Sequence, residues 1–332
     1  MNAGIVVIGE LNSDLIASLE MDPVPGGEIL ARDFQITLGS ASAIFASGIA
    51  RLGHPVTFIS KVGADNFGRD CREVLQKAGI SVDHVQVSPG STTGVTISLS
   101  TRRDRALVTY LGAIAELKLA DVPLRVLNGH RHLHMTSLFL QHALRPSFPT
   151  ILRKAREKGL TTSFDPNSDP SQSWGPDVWD VISQTDILFL NETEALQLSR
   201  QRDVHKALVS LGTKAPCVAI KRGPRGAMGV RNGEIALAPG FPVQAVDTTG
   251  AGDSFAAGFV HAYLGGSDLP GCLEAGNACG AMCTLQVGGT TAQPSRAQLA
   301  KFLREHGNEQ TWPKSLARNL NEQETLNALR RD

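Results

Sequence analysis

The sequence predicts an α/β protein built on a mostly parallel central sheet, with a small second β-sheet inserted into it. Three observations carry this. Short apolar runs recur at Ile5–Ile8, Val56–Ser60, Asp186–Leu190 and Cys217–Lys221, each followed by a glycine-containing or polar turn. Strands of a parallel sheet buried on both faces read this way. Helical patterns alternate with these runs: one from about Ala43 to Leu52, closed by Gly53, and one reaching Ala78, closed by Gly79. Two β-rich stretches, 16–36 and 93–111, interrupt the alternation.

The 332 residues suffice for one large α/β domain with an appendage, or for two domains. A formal net charge of zero argues against nucleic acid as a partner. No apolar run approaches the roughly 20 residues of a membrane span, and Met1–Gly4 leads into a strand without the features of a signal peptide. Cys71, Cys217, Cys272, Cys279 and Cys283 are odd in number and show no framework spacing. They read as reduced thiols, and the expected location is the cytoplasm.

Taken in order, Gly9–Asp14 leaves the carboxyl end of the first strand, where open α/β sheets bind their ligands. Asn12 and Asp14 are placed there either to hydrogen-bond a polyhydroxy substrate or to serve turn geometry. Pro23, Pro25, Gly26 and Gly27 separate short strands such as Glu28–Ala31. Val95–Leu99 and Ala106–Tyr110 flank the charged turn Arg102–Arg105 and form a hairpin. Leu38–Ser42 opens the first helix. The strand His130–Ser137 places His130, His132 and His134 on one face; the spacing suits a metal less well than histidines at the mouth of a strand. The strand Thr161–Phe164 ends in Asp165-Pro166-Asn167, and Asp186–Leu190 in Asn191-Glu192-Thr193-Glu194, where Glu194 complements a helix dipole. After Lys221, Gly223 and Gly226 shape a turn. Cys279 and Cys283 share a face of a small-residue helix over Leu273–Val287 and read as core. Beyond about Leu303 the chain turns polar.

The most specific stretch lies between a β-like run, Val243–Val246, and an apolar helix beginning at Ser254. In Asp247-Thr248-Thr249-Gly250-Ala251-Gly252-Asp253, the glycines let the chain turn tightly into a helix N-terminus, where backbone N–H groups and the helix dipole attract an anion. A carboxylate at Asp253 is unfavourable beside a bound phosphate. It makes sense as the acceptor of a proton from an attacking hydroxyl; the bland reading is a glycine-rich turn with an Asp cap.

The run DTTGAGDSFA, late in an α/β chain, resembles the second signature of the ribokinase-like (PfkB) carbohydrate kinases, and the likeness extends in motif order over roughly residues 4–304. The resemblance implies a three-layer α/β/α core (1–13, 38–91 and 113–304), a β-lid (14–37 and 92–112) that excludes water on closing, and a C-terminal extension (305–332). It implies ATP and Mg2+ as cofactors, Asp253 as general base, and the Gly250, Ala251 and Gly252 amides as stabilisers of the transferring phosphoryl group. Substrate contacts fall on Asn12, Asp14, Gly39, Ser40, Ile44, Asp165 and Asn167. Nucleotide contacts fall on Asn191, Lys221, Gly223, Gly226, Thr248 and Asn277. Glu194 matches an N-x-x-E motif that organises water-held Mg2+. Asp247 and Thr249 match ligands of a monovalent cation, while Ala292 at a further ligand position leaves K+ dependence open.

The first family signature is degraded: Ser40 replaces a glycine and Ile44 an asparagine that contacts sugar. With no lysine in 39–44 to meet a second phosphate, an unphosphorylated sugar is expected. Ser168-Asp169-Pro170 lacks the arginine of many sugar-acid kinases, a role open to Arg102, Arg103 or Arg105. The expected function is ATP-dependent phosphorylation of a sugar hydroxyl. The alternatives are a nucleoside kinase, favoured if Ile44 packs a base, and a non-catalytic sugar sensor. A homodimer through the edges of the lid is the expected assembly.

Overall fold

The computed structural model of the chain describes residues 3–101 and 105–307. The chain runs β1 (Gly4–Ile8), β2 (Asn12–Ser18), β3 (Asp33–Leu38), α1 (Ala41–Arg51), β4 (Val56–Gly63), α2 (Asn66–Lys77), β5 (Ser81–Ser88), β6 (Gly94–Ser100) and β7 (Arg105–Tyr110). It continues through β8 (His130–Thr136), α3 (Phe148–Glu157), β9 (Thr161–Asp165), α4 (Asp177–Ser183), β10 (Ile187–Asn191), α5 (Glu192–Ser199) and α6 (Val204–Gly212). The last elements are β11 (Cys217–Lys221), β12 (Ala227–Arg231), β13 (Glu234–Ala238), α7 (Ala251–Leu264), α8 (Leu269–Cys283) and α9 (Arg296–His306).

Nine strands form the central sheet in the order β13-β12-β11-β10-β9-β8-β1-β4-β5. Every pairing from β11 to β5 is parallel, and β12 and β13 complete the far edge as antiparallel strands. The pleat of β1 sorts its side chains between two cores. Ile5 and Val7 join α1, α2, α7, α8 and α9 on one face. Val6 and Ile8 join α3, α4, α5 and α6 on the other. This is the three-layer arrangement that the continuous apolar strands require. A separate four-stranded sheet, β3-β2-β6-β7, is antiparallel except for the β2–β6 pair. Asp65 ties it to the core: its carboxylate caps α2 at the Gly68 N–H and also accepts the Thr93 N–H and hydroxyl, each within 2.8 Å.

Four local expectations are corrected. Val243–Val246 is not a strand. The Val246 N–H donates to the Thr284 carbonyl at the end of α8 (2.7 Å), so the segment is anchored by a helix terminus instead of a ladder. Glu28–Ala31 is irregular and the strand forms at Asp33–Leu38, where β2 supplies a partner. Helix α8 begins four residues earlier than its apolar pattern, because Asp268 accepts the Gly271 N–H as an N-cap. The histidines of β8 lie inside the fold, not at a mouth. His130 meets Thr57 (3.1 Å), His132 is flanked by Thr161 and Ser163 (2.8 and 2.7 Å), and His134 meets Ser163 (2.6 Å) and stacks on Phe45.

Nearby, Arg131 donates to His54 Nδ1 (2.7 Å), so neutral His54 carries its proton on Nε2 and donates to His261 Nδ1 (2.8 Å). Burial first, then the neighbouring imidazoles (for His54 and His132) and the Arg131 and Arg296 guanidiniums, hold these rings neutral: His54 and His132 fall to about 3 and His261 to about 4. Their unfolded counterparts protonate near 6.5. The unfolded state therefore binds more protons below that pH, and these histidines withdraw stability as pH falls from about 6.5 toward their folded values. The thermal midpoint is expected to drop between pH 7 and 5, with a flatter slope in a His54→Asn/His261→Asn variant.

Candidate active site

The parallel strands deliver their functional side chains at their carboxyl ends: Glu10 just past β1, Asn167 just past β9, Asp165 ending β9, Asn191 ending β10 and Lys221 ending β11. Lys221 Nζ sits 2.5 Å from Asp165 Oδ2, in a pair almost closed to solvent. Burial alone would lower the Lys221 ammonium, but Asp165, Glu194 and Asp253 outweigh it and raise its affinity for the proton.

Glu194 forms a reciprocal capping box with Asn191 at the start of α5. Asn191 Oδ1 accepts the Glu194 N–H and Glu194 Oε2 accepts the Asn191 N–H, both at 2.8 Å. Its other oxygen accepts Ser168 Oγ at 3.2 Å. Burial and then Asp165 push the Glu194 carboxyl up, against the pull of Lys221. The N-x-x-E stretch therefore caps a helix, as its place at a helix start predicts, and its carboxylate also feels the charge of Lys221.

Helix α7 begins at Gly250, which adopts φ 71°, a left-handed conformation suited to glycine. A Cβ there would approach the Gly289 Cα to 2.8 Å and Ile44 Cγ2 to 2.9 Å. Asp247 fixes the turn by accepting the Thr249 and Gly288 N–H groups, each at 2.9 Å. Gln293 braces it from below, donating to the Ile44 carbonyl and to Ser254 Oγ, both at 2.8 Å. The Ala251 N–H turns back to the Thr248 carbonyl (3.3 Å). The next amides, Gly252 and Asp253, belong to the first turn of the helix, whose N–H groups have no partner within it. A Cβ on Gly252 would lie 3.2 Å from Lys221 Nζ, so the helix start and the lysine face one another. Asp253, half-buried between them, is raised to about 8, foremost by desolvation. Lys221 opposes that shift, while Asp165, Glu10 and Glu194 add to it.

In the small sheet, Asn12 Nδ2 donates to Asp14 Oδ1 (2.9 Å) and Thr96 Oγ1 (3.2 Å). A side chain at Gly39 would overlap Asp14 and Asn12, so glycine is required for this packing. Register places Thr37, Asp14, Thr96 and Thr109 in one cross-strand row. Asn167, at φ 55°, donates to Ser137 Oγ (2.7 Å), and its N–H is held by Asp165 Oδ1 (3.2 Å). On the other flank, Gly223 and Gly226 both have positive φ, and a Cβ on Gly226 would strike the Ala238–Gly240 backbone. Asn277 Nδ2 donates to the Ala238 and Pro239 carbonyls (3.1 and 3.0 Å), holding the same segment.

The fold thus brings together Asp253, Lys221, Asp165, Asn191 and Glu194, and separately Asn12, Asp14 and Gly39. Two expected substrate contacts are otherwise engaged. Ser40 is the α1 N-cap, with its hydroxyl donating to the Glu10 carbonyl (2.5 Å) and accepting the Ala43 N–H (3.0 Å). Ile44 is buried against Gly250 and Gly289. Arg102 and Arg103 lie outside the described residues, as does the side chain of Arg105. Glu10 was not singled out from the sequence. It is buried and accepts Ser42 Oγ (2.6 Å) and Thr136 Oγ1 (3.0 Å). An acidic residue directly after a buried strand and its glycine is the signal that could have found it.

A glycine-built helix start thus lies beside a carboxyl of raised pKa at the carboxyl edge of a parallel sheet. Residues 2–296 match the model of the pfkB family carbohydrate kinases. The chain is 30% identical over 303 residues to an ATP-dependent ribose-1-phosphate kinase from Halopiger xanaduensis (91% of this chain, 98% of the other). It is 30% identical over 321 residues to a fructokinase from Klebsiella pneumoniae (91% and 100%). A candidate ribokinase II from E. coli, solved with ATP and Mg2+, superposes with a TM-score of 0.82 at 27% identity (92% and 100%). The chain belongs to the pfkB family of carbohydrate kinases and is a phosphotransferase acting on a sugar hydroxyl. No helix among the described residues is long and apolar enough to cross a membrane.

Removing the lysine would leave carboxylates buried without their counter-charge. Lys221→Met is expected to lower unfolding free energy in urea by about 3–5 kcal/mol, the usual cost of breaking a buried ion pair.

Proposed function

We propose that the chain transfers the γ-phosphoryl group of ATP to a hydroxyl of a small unphosphorylated sugar of the ribose, fructose or ketodeoxygluconate kind, with Asp253 as general base. The observation that carries this reading is the environment of Asp253. A carboxylate in the first turn of a helix is normally stabilised by the dipole. Here desolvation and three further carboxylates override it and bring the group to about 8, close to the working range of a proton acceptor near neutral pH.

In the proposed reaction the acceptor O–H bond breaks and its proton passes to Asp253. The acceptor oxygen bonds to the γ-phosphorus as the bond to the β–γ bridging oxygen breaks, and ADP leaves. The Gly250, Ala251 and Gly252 segment lies where charge develops on the phosphoryl oxygens. Nucleotide contacts are assigned to Gly223, Gly226, Thr248 and Asn277, around the Ala238–Gly240 turn. Lys221 positions Asp165 beside the reacting groups. The donor set fits Mg2+: Glu194 and Asn191 would hold it through water, and the raised Glu194 carboxyl marks a place short of positive charge. Bound there, Mg2+ would screen the phosphates. Asp247 and Thr249 are the residues assigned to a monovalent cation, a role that K+ titration of the turnover would decide.

Asp14 and Asn12 orient the acceptor, with Asp165 and Asn167 at the opposite rim. The row Thr37–Asp14–Thr96–Thr109 offers hydroxyls and one carboxylate, which suits a neutral polyol more than a phosphate or sugar acid. Ile44 packs beneath the Gly250 turn, which supports the sugar reading over a nucleoside base stacked on that side chain.

Asp253→Asn is expected to keep the fold and lower kcat by about 10²–10⁴. Wild-type-like turnover in that variant rejects the mechanism. Because Asp253 must be ionised to accept a proton, kcat/KM should rise with pH and level off above about 8. Chelation of Mg2+ should abolish ADP release across a panel of ketoses, aldoses, sugar acids and nucleosides. Sugar binding without ADP release under any condition would favour a sensor.

The assembly reading is a homodimer through the small sheet. Phe34, Ile36, Ile97, Val108 and Tyr110 share its outer face and are each more than two-fifths exposed. Ile36→Lys/Val108→Lys should convert a dimer to a monomer in sedimentation velocity; a wild-type monomer rejects this reading.

A further inference from the structure

A surface cavity of about 640 Å3 opens between the loop after β9, α4, and the carboxyl ends of α5 and α6. It lies apart from the Gly250 turn and shares none of the residues assigned above. Trp174 and Trp179 line it, with Gln172, Gln197, Arg200 and Lys214. None of its lining residues is acidic. Trp174 is fixed as a wall: its Nε1 donates to Gln197 Oε1 (3.1 Å), and its ring meets Phe139 edge-on at 5.4 Å. Trp179 is half-buried, and Arg200 and Lys214 are exposed. The volume is that of a small-molecule site.

A second observation points to the same place. The loop holds three non-glycine residues at left-handed φ: Asn167 (55°), Gln172 (55°) and Trp174 (44°). For a bulky residue such as tryptophan this conformation is unfavourable and persists only where the surroundings enforce it. Here Asp169 enforces it, accepting the Ser171 and Trp174 N–H groups, each at 2.8 Å. Without that strain the tryptophan would not be held in the cavity wall. The same segment begins at Asn167 and Ser168, bonded to Ser137 and Glu194, so one stretch of chain joins the cavity to the candidate active site.

We propose that this cavity is a second ligand site, for a nucleoside monophosphate. A purine-sized ring would stack on tryptophan, and its phosphate would be met by Arg200 and Lys214. The test is titration of the full-length protein with AMP, followed by tryptophan fluorescence and by calorimetry. Trp174 and Trp179 are two of the three tryptophans in the chain. Saturable quenching is expected, weakened about tenfold or more in Arg200→Glu/Lys214→Glu. Both substituted side chains are exposed, and circular dichroism checks that the variant remains folded. Binding to the catalytic nucleotide region would not depend on either cation, so AMP affinity unchanged in the double variant overturns the proposal. So does the absence of saturable binding to the wild type, or equal affinity for adenosine, which lacks the phosphate. The readout is binding and stands whether or not the kinase reading holds.

Discussion

The site depends on one buried cation. Lys221 ends a central strand and faces Asp165, Glu194 and Asp253, which arrive from β9, α5 and α7. Without it, carboxylates from three elements would meet in a poorly solvated space, and that arrangement would disperse or neutralise. With it, the negative charge is only partly balanced. Burial foremost, with the neighbouring carboxylates adding to it, shifts Glu194 and Asp253 upward against the pull of Lys221.

Around this centre, the fold uses the fixed directions of strands and helix ends. Parallel strands place side chains at one edge, and the helix start at Gly250 turns its amides to the same edge. The turn is held by contacts from three parts of the chain: Asp247, Ile44 and Gln293. Ile44, which read from the sequence as a lost polar contact, is in the structure a packing element of the Gly250 turn. Ser40, at the other altered position of the first signature, caps α1.

The small sheet divides its two faces sharply. One carries Asp14 in a row of threonines, and the other is apolar and exposed. Period-two alternation permits both on four short strands. Asp65 clamps the sheet to α2 through Thr93, using a carboxylate whose hydrogen bonds outweigh its desolvation and keep it below the usual carboxylate range. Asp65 is thus a structural tie between α2 and the small sheet.

The sequence by itself determined the layered α/β core and the tight turn into α7. Continuous apolar strands can only be buried on both faces, and a glycine at 250 permits the left-handed φ from which the helix starts. It could not determine which distant side chains meet. The Val243–Val246 run had strand composition but no neighbouring strand, so it became a loop anchored on α8. The β8 histidines had metal spacing, but their partners were hydroxyls on β4 and β9, chosen by sheet order. Glu10, Gln293 and the charge balance about Lys221 likewise depend on contacts between residues far apart in the chain. Such contacts leave no periodic trace, because only packing decides which side chains share a desolvated space.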